Sequence, residues 1–216
     1  MKTKLYLLVA VITIVCSATF AQNDVRASMG IELVSCTSIR DYLNKNIATS
    51  SQQIAAFNTA ISFGGEYGYQ LKPDMQLGVE YQYLLNSFNL DYFLGGNYEL
   101  SYNVQSVSAM AYYVIPGQGY KIKIGGGLGP RFSSLEEKYP SYSETYTSTG
   151  FGILAKADGS TTLGGNLYAY IGGDLRLDIN GSLKRNGENF KNKINNENVN
   201  LNSISAGLKL GVVYLF

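Results

Sequence analysis

The chain has no histidine and no tryptophan, and only two cysteines and four prolines in 216 residues. It also has no run approaching the ~20 apolar residues that a membrane-crossing helix needs. Each shortage excludes something. Without histidine, the usual side chain for moving protons near neutral pH is missing. Without a long apolar run, a helical anchor fails. Scarce proline beside 24 glycines and 18 tyrosines suits a chain of strands joined by tight turns.

The N-terminus reads as an export signal. Lys2 and Lys4 precede an almost wholly apolar run, Leu5 to Val15, and Thr19 and Ala21 stand at the minus-three and minus-one places before Gln22. The expected division is a signal peptide over 1–21 and one domain over 22–216, about 195 residues. Cys16 lacks the small preceding residue of a lipoprotein cleavage site. Removing Lys2 and Lys4 takes the 17 basic residues to 15 against 16 acidic ones, a net charge of −1 that gives no support to nucleic-acid binding. Cys36 is then the one remaining thiol, so no internal disulfide is expected.

What is present is alternation. Apolar and polar residues exchange with period two over eight stretches: Arg26 to Cys36, Thr59 to Leu71, Met75 to Tyr83, Glu99 to Ile115, Tyr120 to Phe132, Gly150 to Leu163, Leu167 to Ile179, and Ala206 to Phe216. In the last, Ala206, Leu208, Leu210, Val212, Tyr214 and Phe216 share one face. The Glu99–Ile115 stretch changes parity near Gln105-Ser106 if Leu100, Tyr102 and Val104 are to join the apolar face, which predicts a bulge there. Short turns at Lys72-Pro73-Asp74, Pro116 to Gly119 and Gly164-Gly165-Asn166 alternate with long polar connections over about 37–56, 86–98, 133–148 and 181–200. None of the four connections shows a sustained period.

Eight strands with long connections at one end and short ones at the other predict an all-β fold: an eight-stranded antiparallel up-and-down transmembrane β-barrel. A soluble barrel or sandwich also alternates, but carries its apolar face inward. Here the apolar set is continuous over strands of bilayer-crossing length. The opposite face is glycine and serine with isolated charges of both signs. Aromatic residues gather near strand ends, Tyr67, Tyr69, Tyr113, Tyr120, Tyr214 and Phe216 at one and Tyr83, Tyr102 and Phe132 at the other, as interface girdles do.

An eight-stranded barrel has an interior that side chains just fill. The inward set holds the acids Glu32, Glu66, Glu80, Asp158, Asp174 and Asp178 and the bases Lys121, Lys123, Arg131, Lys156, Arg176 and Lys209. Six face six, so a salt-bridged closed plug is expected rather than a catalytic carboxylate pair. Turn geometry sets Lys156 opposite Asp174, which predicts a cross-strand ion pair. It also sets Glu66 opposite Glu80, a repulsive pair that needs cations reaching across the lumen.

The C-terminal Lys209-Leu210-Gly211-Val212-Val213-Tyr214-Leu215-Phe216 resembles the terminal signal of outer-membrane barrels, with Lys209, Gly211, Tyr214 and Phe216 at its defining positions. With the strand pattern, the chain resembles the small eight-stranded outer-membrane proteins of the OmpA membrane-domain and OmpX type. That resemblance implies recognition by the barrel-assembly machinery, outer-membrane lipid as surroundings, and periplasmic N- and C-termini. No peptidoglycan-binding domain follows the barrel, so wall tethering is not expected. Enzymes built into such barrels generally rely on a histidine base, and none exists here, so no enzyme, cofactor or metal is expected. Gly125-Gly126-Gly127 precedes no helix and is not a phosphate loop. Cys36 has no base and reads as a packing thiol. The function expected is envelope structure or surface interaction, adhesion or ligand binding through the long loops. The alternatives are a small pore, or a soluble periplasmic carrier of an apolar ligand.

Overall fold

The structure, a computed structural model, describes residues 23–49, 52–91, 97–194 and 196–216. The expected signal peptide over 1–21 lies outside them. The described residues form β1 (Asn23–Ser35), α1 (Thr37–Asn46), β2 (Asn58–Lys72), β3 (Met75–Asp91), β4 (Asn97–Pro116), β5 (Tyr120–Tyr139), β6 (Tyr142–Gly164), β7 (Leu167–Asn180), the two-residue strands β8 (Lys184–Arg185) and β9 (Glu188–Asn189), and β10 (Ser203–Leu215).

Every long strand pairs antiparallel with two neighbours, in the ring order β1-β2-β3-β4-β5-β6-β7-β10 and back to β1. The all-β, eight-stranded barrel read from the pattern is the observed fold. Closure pairs both edges of every long strand within the barrel wall, and unpaired edges invite aggregation. The seam joins β1 to β10 from Asp24↔Leu215 to Ser35↔Ile204. Beyond it, Asn23 and Phe216 exchange two backbone hydrogen bonds of 3.0 Å. At the β4–β5 and β6–β7 turns, Gly119 (φ 79°) and Gly165 (φ 55°) take the left-handed conformation that a side chain resists.

The outward face is apolar from rim to rim. Met29, Ile31, Val79, Ile124, Ile153, Ile171, Leu175, Leu208 and Leu210 all stand exposed on it. A patch of that size is far beyond what a soluble surface carries. The interior is ionic, opposite to an apolar-ligand carrier, so that alternative is overturned. No described helix is long and apolar enough to cross a membrane.

Three expectations need correction, all at the end opposite the short turns. The segment expected as a loop after β1 holds α1, a helix of 10 residues with Ile39, Tyr42 and Leu43 buried. The segments expected as loops at 86–98 and 133–148 are largely paired strand. β3 continues to Asp91, β4 begins at Asn97, and β5 and β6 pair up to Tyr139↔Tyr142. At ~3.3 Å per residue, this raises one wall roughly 20 Å above the rest of the rim. The bulge near Gln105-Ser106 is absent: β4 keeps one register on β3 from Tyr113 to Asn97. Leu100, Tyr102 and Val104 point inward, where they are buried.

The reason is a second core above the barrel. The raised wall supplies Leu90, Leu100, Tyr102 and Leu135. α1 supplies Ile39 and Leu43, and the connection before β10 supplies Leu183, Phe190, Val199 and Leu201. These side chains form one cluster over the mouth. On the inward face of the raised wall, Leu90, Leu100, Tyr102 and Leu135 meet this cap and not the ionic lumen below.

Candidate functional site

The lumen is the chemically dense part of the molecule. Glycine and serine leave room on the inward face, and long charged side chains fold into that room. At Gly207 an added Cβ would lie 2.5 Å from Asp174 Oδ1 and also against Glu32. Glycine leaves open the space that these two carboxylates from other strands occupy.

Most charges join one chain of contacts. Asp158 accepts from Arg26 Nη1 at 2.9 Å, and Arg26 also lies 3.4 Å from Glu66. Lys156 bridges Glu66 (2.8 Å) and Glu80 (2.6 Å). Arg176 links Glu80 (2.6 Å) to Asp174 (2.5 Å). Lys209 links Asp174 (2.6 Å) to Glu32 (3.3 Å) and donates to Gln82 at 2.7 Å. Two further pairs stand apart, Lys123–Asp24 at 2.6 Å toward the turn end and Arg131–Asp178 at 2.5 Å toward the cap.

The ring order shows how far these contacts reach. β6 stands opposite β2, β7 opposite β3, and β5 opposite β1. Lys156–Glu66, Arg176–Glu80 and Lys123–Asp24 are therefore diametric struts. Glu66 and Glu80 are directly cross-strand, as the turn geometry predicts, and the cation that holds them is Lys156. The register also sets Lys156 opposite Asp174, but the expected pair between those two does not form. Each has partners elsewhere because the lumen is narrow enough to cross.

Of the twelve charged residues expected in the lumen, eleven are buried there; Lys121 faces the same way and is partly exposed. Its Nζ has no hydrogen-bond partner among the described residues. Asp24 and Arg26 were missed. Both lie on the inward face of β1, on the same parity as Glu32, so the signal that found Glu32 covers them. Among neutral side chains, Tyr112 donates to Glu66 at 2.9 Å and Gln76 to Asp24 at 2.8 Å. The Tyr170 ring lies under Arg26, 4.1 Å from guanidinium carbon to centroid.

The four residues of the C-terminal motif do not form one cluster. Lys209 points into the lumen network, and Gly211 lies against Ala27 and Ser28 of β1. Tyr214 and Phe216 stand outward, stacked at 6.4 Å.

In the cap, Tyr42, Tyr98 and Tyr139 all donate to Oε1 of the buried Glu137, at 2.5, 2.7 and 3.0 Å. Burial, with Tyr98 and Glu137 alongside, pushes the Tyr42 phenol far above its ordinary range. Burial also pushes the Cys36 thiol up to about 11, and its Sγ lies 3.7 Å from the carbonyl of Asn200. A thiol with so high a pKa is almost wholly protonated near neutral pH and reacts slowly as a nucleophile.

The model of the outer membrane protein beta-barrel domain matches residues 7–158. The chain belongs to this family. It is accordingly an outer-membrane β-barrel protein. No curated protein matches it in sequence. Among solved structures it is similar to a major outer membrane protein from Thermus thermophilus, at 16% identity and TM-score 0.54 over 91% of this chain and 100% of that one. It is also similar to Neisserial surface protein A, at 16% identity and TM-score 0.52 over 90% and 97%. At such identity the likeness speaks for the fold.

Proposed function

We propose that this protein is a closed structural barrel of the outer membrane, neither pore nor enzyme, that presents its cap to the outside. The observation that carries the reading is the set of diametric ion pairs. Struts at several heights, each about one hydrogen bond long, support a lumen without a continuous path for a solute. Beneath the cap, the space bordered by Gln82, Arg176, Asp178 and Tyr102 amounts to about 10 Å³, room for about one water.

The cap is assigned to the cell exterior because family barrels carry short turns on the periplasmic side and longer connections outside. Both chain ends then face the periplasm. In that orientation Tyr214 and Phe216 lie at the periplasmic interface, where the barrel-assembly machinery would read the closing strand together with Lys209 and Gly211. The belt around Leu208 and Ile171 would meet outer-membrane lipid. Tyrosine-rich connections above the mouth supply the surface for envelope contacts, adhesion or ligand binding.

Single-channel recording on the purified protein in planar bilayers tests the closed lumen, and no stable large conductance is expected. A steady open pore would overturn the reading. Protease digestion of intact cells tests the orientation, and cuts should fall within 181–200.

A further inference from the structure

The cap holds a cleft that the lumen does not use. It lies between the β5–β6 hairpin and the β8–β9 hairpin, has a volume of about 510 Å³, and is bordered by Glu137, Tyr142, Tyr146, Phe190, Arg185 and Lys193 among others. That volume is within the range of small-molecule sites.

Three features of its lining agree on one kind of guest. The first is Glu137, a carboxylate only 3% exposed that borders the cleft. Its three hydrogen-bond donors are phenols, and no lysine or arginine among the described residues forms an ion pair with it. A buried carboxylate held only by neutral donors still attracts a cation. The second is the aromatic wall. Tyr146 and Phe190 pack at 4.4 Å, and Tyr142 stacks on Tyr139 at 4.6 Å with 52% of its own surface exposed. Ring faces attract cations. The third is that this wall already takes an ammonium group, since Lys193 Nζ stands 5.7 Å from the centre of the Tyr139 ring. Of the other nearby charges, Arg185 is neutralised by Glu144. Lys191 and Glu188 also border the cleft and are of opposite sign.

We infer that this cleft binds an organic cation, a guanidinium or primary ammonium on an apolar stem, with Glu137 as its counter-charge and Tyr142 and Tyr146 against the stem. The cation enters as a free amine or as the side chain of a basic peptide. The inference deepens the surface-contact reading and rests on the cap facing outward for its biological use.

The test is calorimetric titration of the folded full chain in detergent micelles with n-butylguanidinium, with n-butyrate and n-butanol as controls. Saturable binding of butylguanidinium alone is expected. Glu137→Gln, which keeps an acceptor for the tyrosines, should weaken it about tenfold, the worth of a hydrogen bond to a charged group. Should Glu137→Gln fail to fold, the exposed Tyr142→Ala serves, with a loss of about threefold. Lys193→Ala should strengthen binding by removing a resident competitor. A capped Gly-Gly-Arg-Gly-Gly peptide distinguishes the sources: binding points to peptide side chains, and exclusion beside butylguanidinium binding points to free amines. No binding of butylguanidinium, equal binding of butyrate, or indifference to both Glu137→Gln and Tyr142→Ala would overturn the inference. Micelles impose no orientation, so an inverted barrel would fail the cell-surface digestion and still pass here.

Discussion

Lys156 on β6 meets Glu66 on β2 across the full width of the barrel at 2.8 Å, while its second contact, 2.6 Å to Glu80, holds two directly cross-strand carboxylates together. Removing that one ammonium leaves two buried acids facing each other. Lys156→Met should therefore lose about 3–5 kcal/mol, the usual cost of stranding a buried charge, read as a lower urea midpoint for unfolding from micelles. Adding Glu66→Gln should restore part of the loss. In the parent background Glu66→Gln should itself destabilise, because Arg26 and Lys156 each lose a partner.

Glycine identity offers a cleaner test of lumen crowding. Gly207→Ala pushes a methyl group into Glu32 and Asp174, whereas a Cβ at Gly159 meets nothing within 4 Å. Both lie in strands, so the backbone term is shared. Gly207→Ala should lower the temperature at which a heated sample changes its gel mobility. Gly159→Ala should leave it unchanged or raise it.

The barrel was legible in the sequence because its faces differ in kind, apolar outward and ionic inward, so period two reports both. Ile31 against Glu32, or Leu208 against Lys209, is enough to set parity. The cap was not legible for the same reason. In Leu100, Tyr102 and Val104 the inward face becomes apolar, and a rule that sends apolar residues outward assigns them wrongly and then needs a bulge that β4 does not have. α1 was missed because its signal is a single turn, Ile39 with Tyr42 and Leu43, inside a polar stretch. A helix of 10 residues is marginal alone and owes its stability to docking on partners distant in the chain. The ion pairs lie between these cases. Strand register identified opposite residues such as Lys156 and Asp174, but a side chain that can cross the lumen is not bound to its sheet neighbour.

Cys36 reports on the cap. Its thiol is buried, and burial raises its pKa to about 11. Because the pKa is raised, the reactive thiolate is scarce below it and grows about tenfold per pH unit up to that value. Iodoacetamide at pH 8 should label the folded protein far more slowly than the urea-unfolded chain. Leu43→Ala, which opens the core under α1, should cost about 2–5 kcal/mol of cap stability and speed the labelling while the heat-dependent gel shift of the barrel persists.

Leu208 is 71% exposed near the middle of β10, and Ile194 is 67% exposed in the cap. Exposure alone cannot tell them apart, and a soluble protein would accept arginine at either place. If the belt lies in lipid, they differ sharply. Arginine at a mid-bilayer position on a barrel's outer face costs about 2–4 kcal/mol, and at a water-exposed position close to nothing. Leu208→Arg should therefore lower the stability of the protein folded into lipid vesicles by that amount. Ile194→Arg should lie within about 0.5 kcal/mol of the parent, as surface substitutions do. Leu208 pairs with Ile31 on β1 and Gly173 on β7, so it sits inside the seam that closes the barrel. A strand with arginine there still has its backbone partners, and the loss measured is that of placing one charge in hydrocarbon. Equal stability of the two variants in vesicles would remove the lipid belt from the description of this barrel.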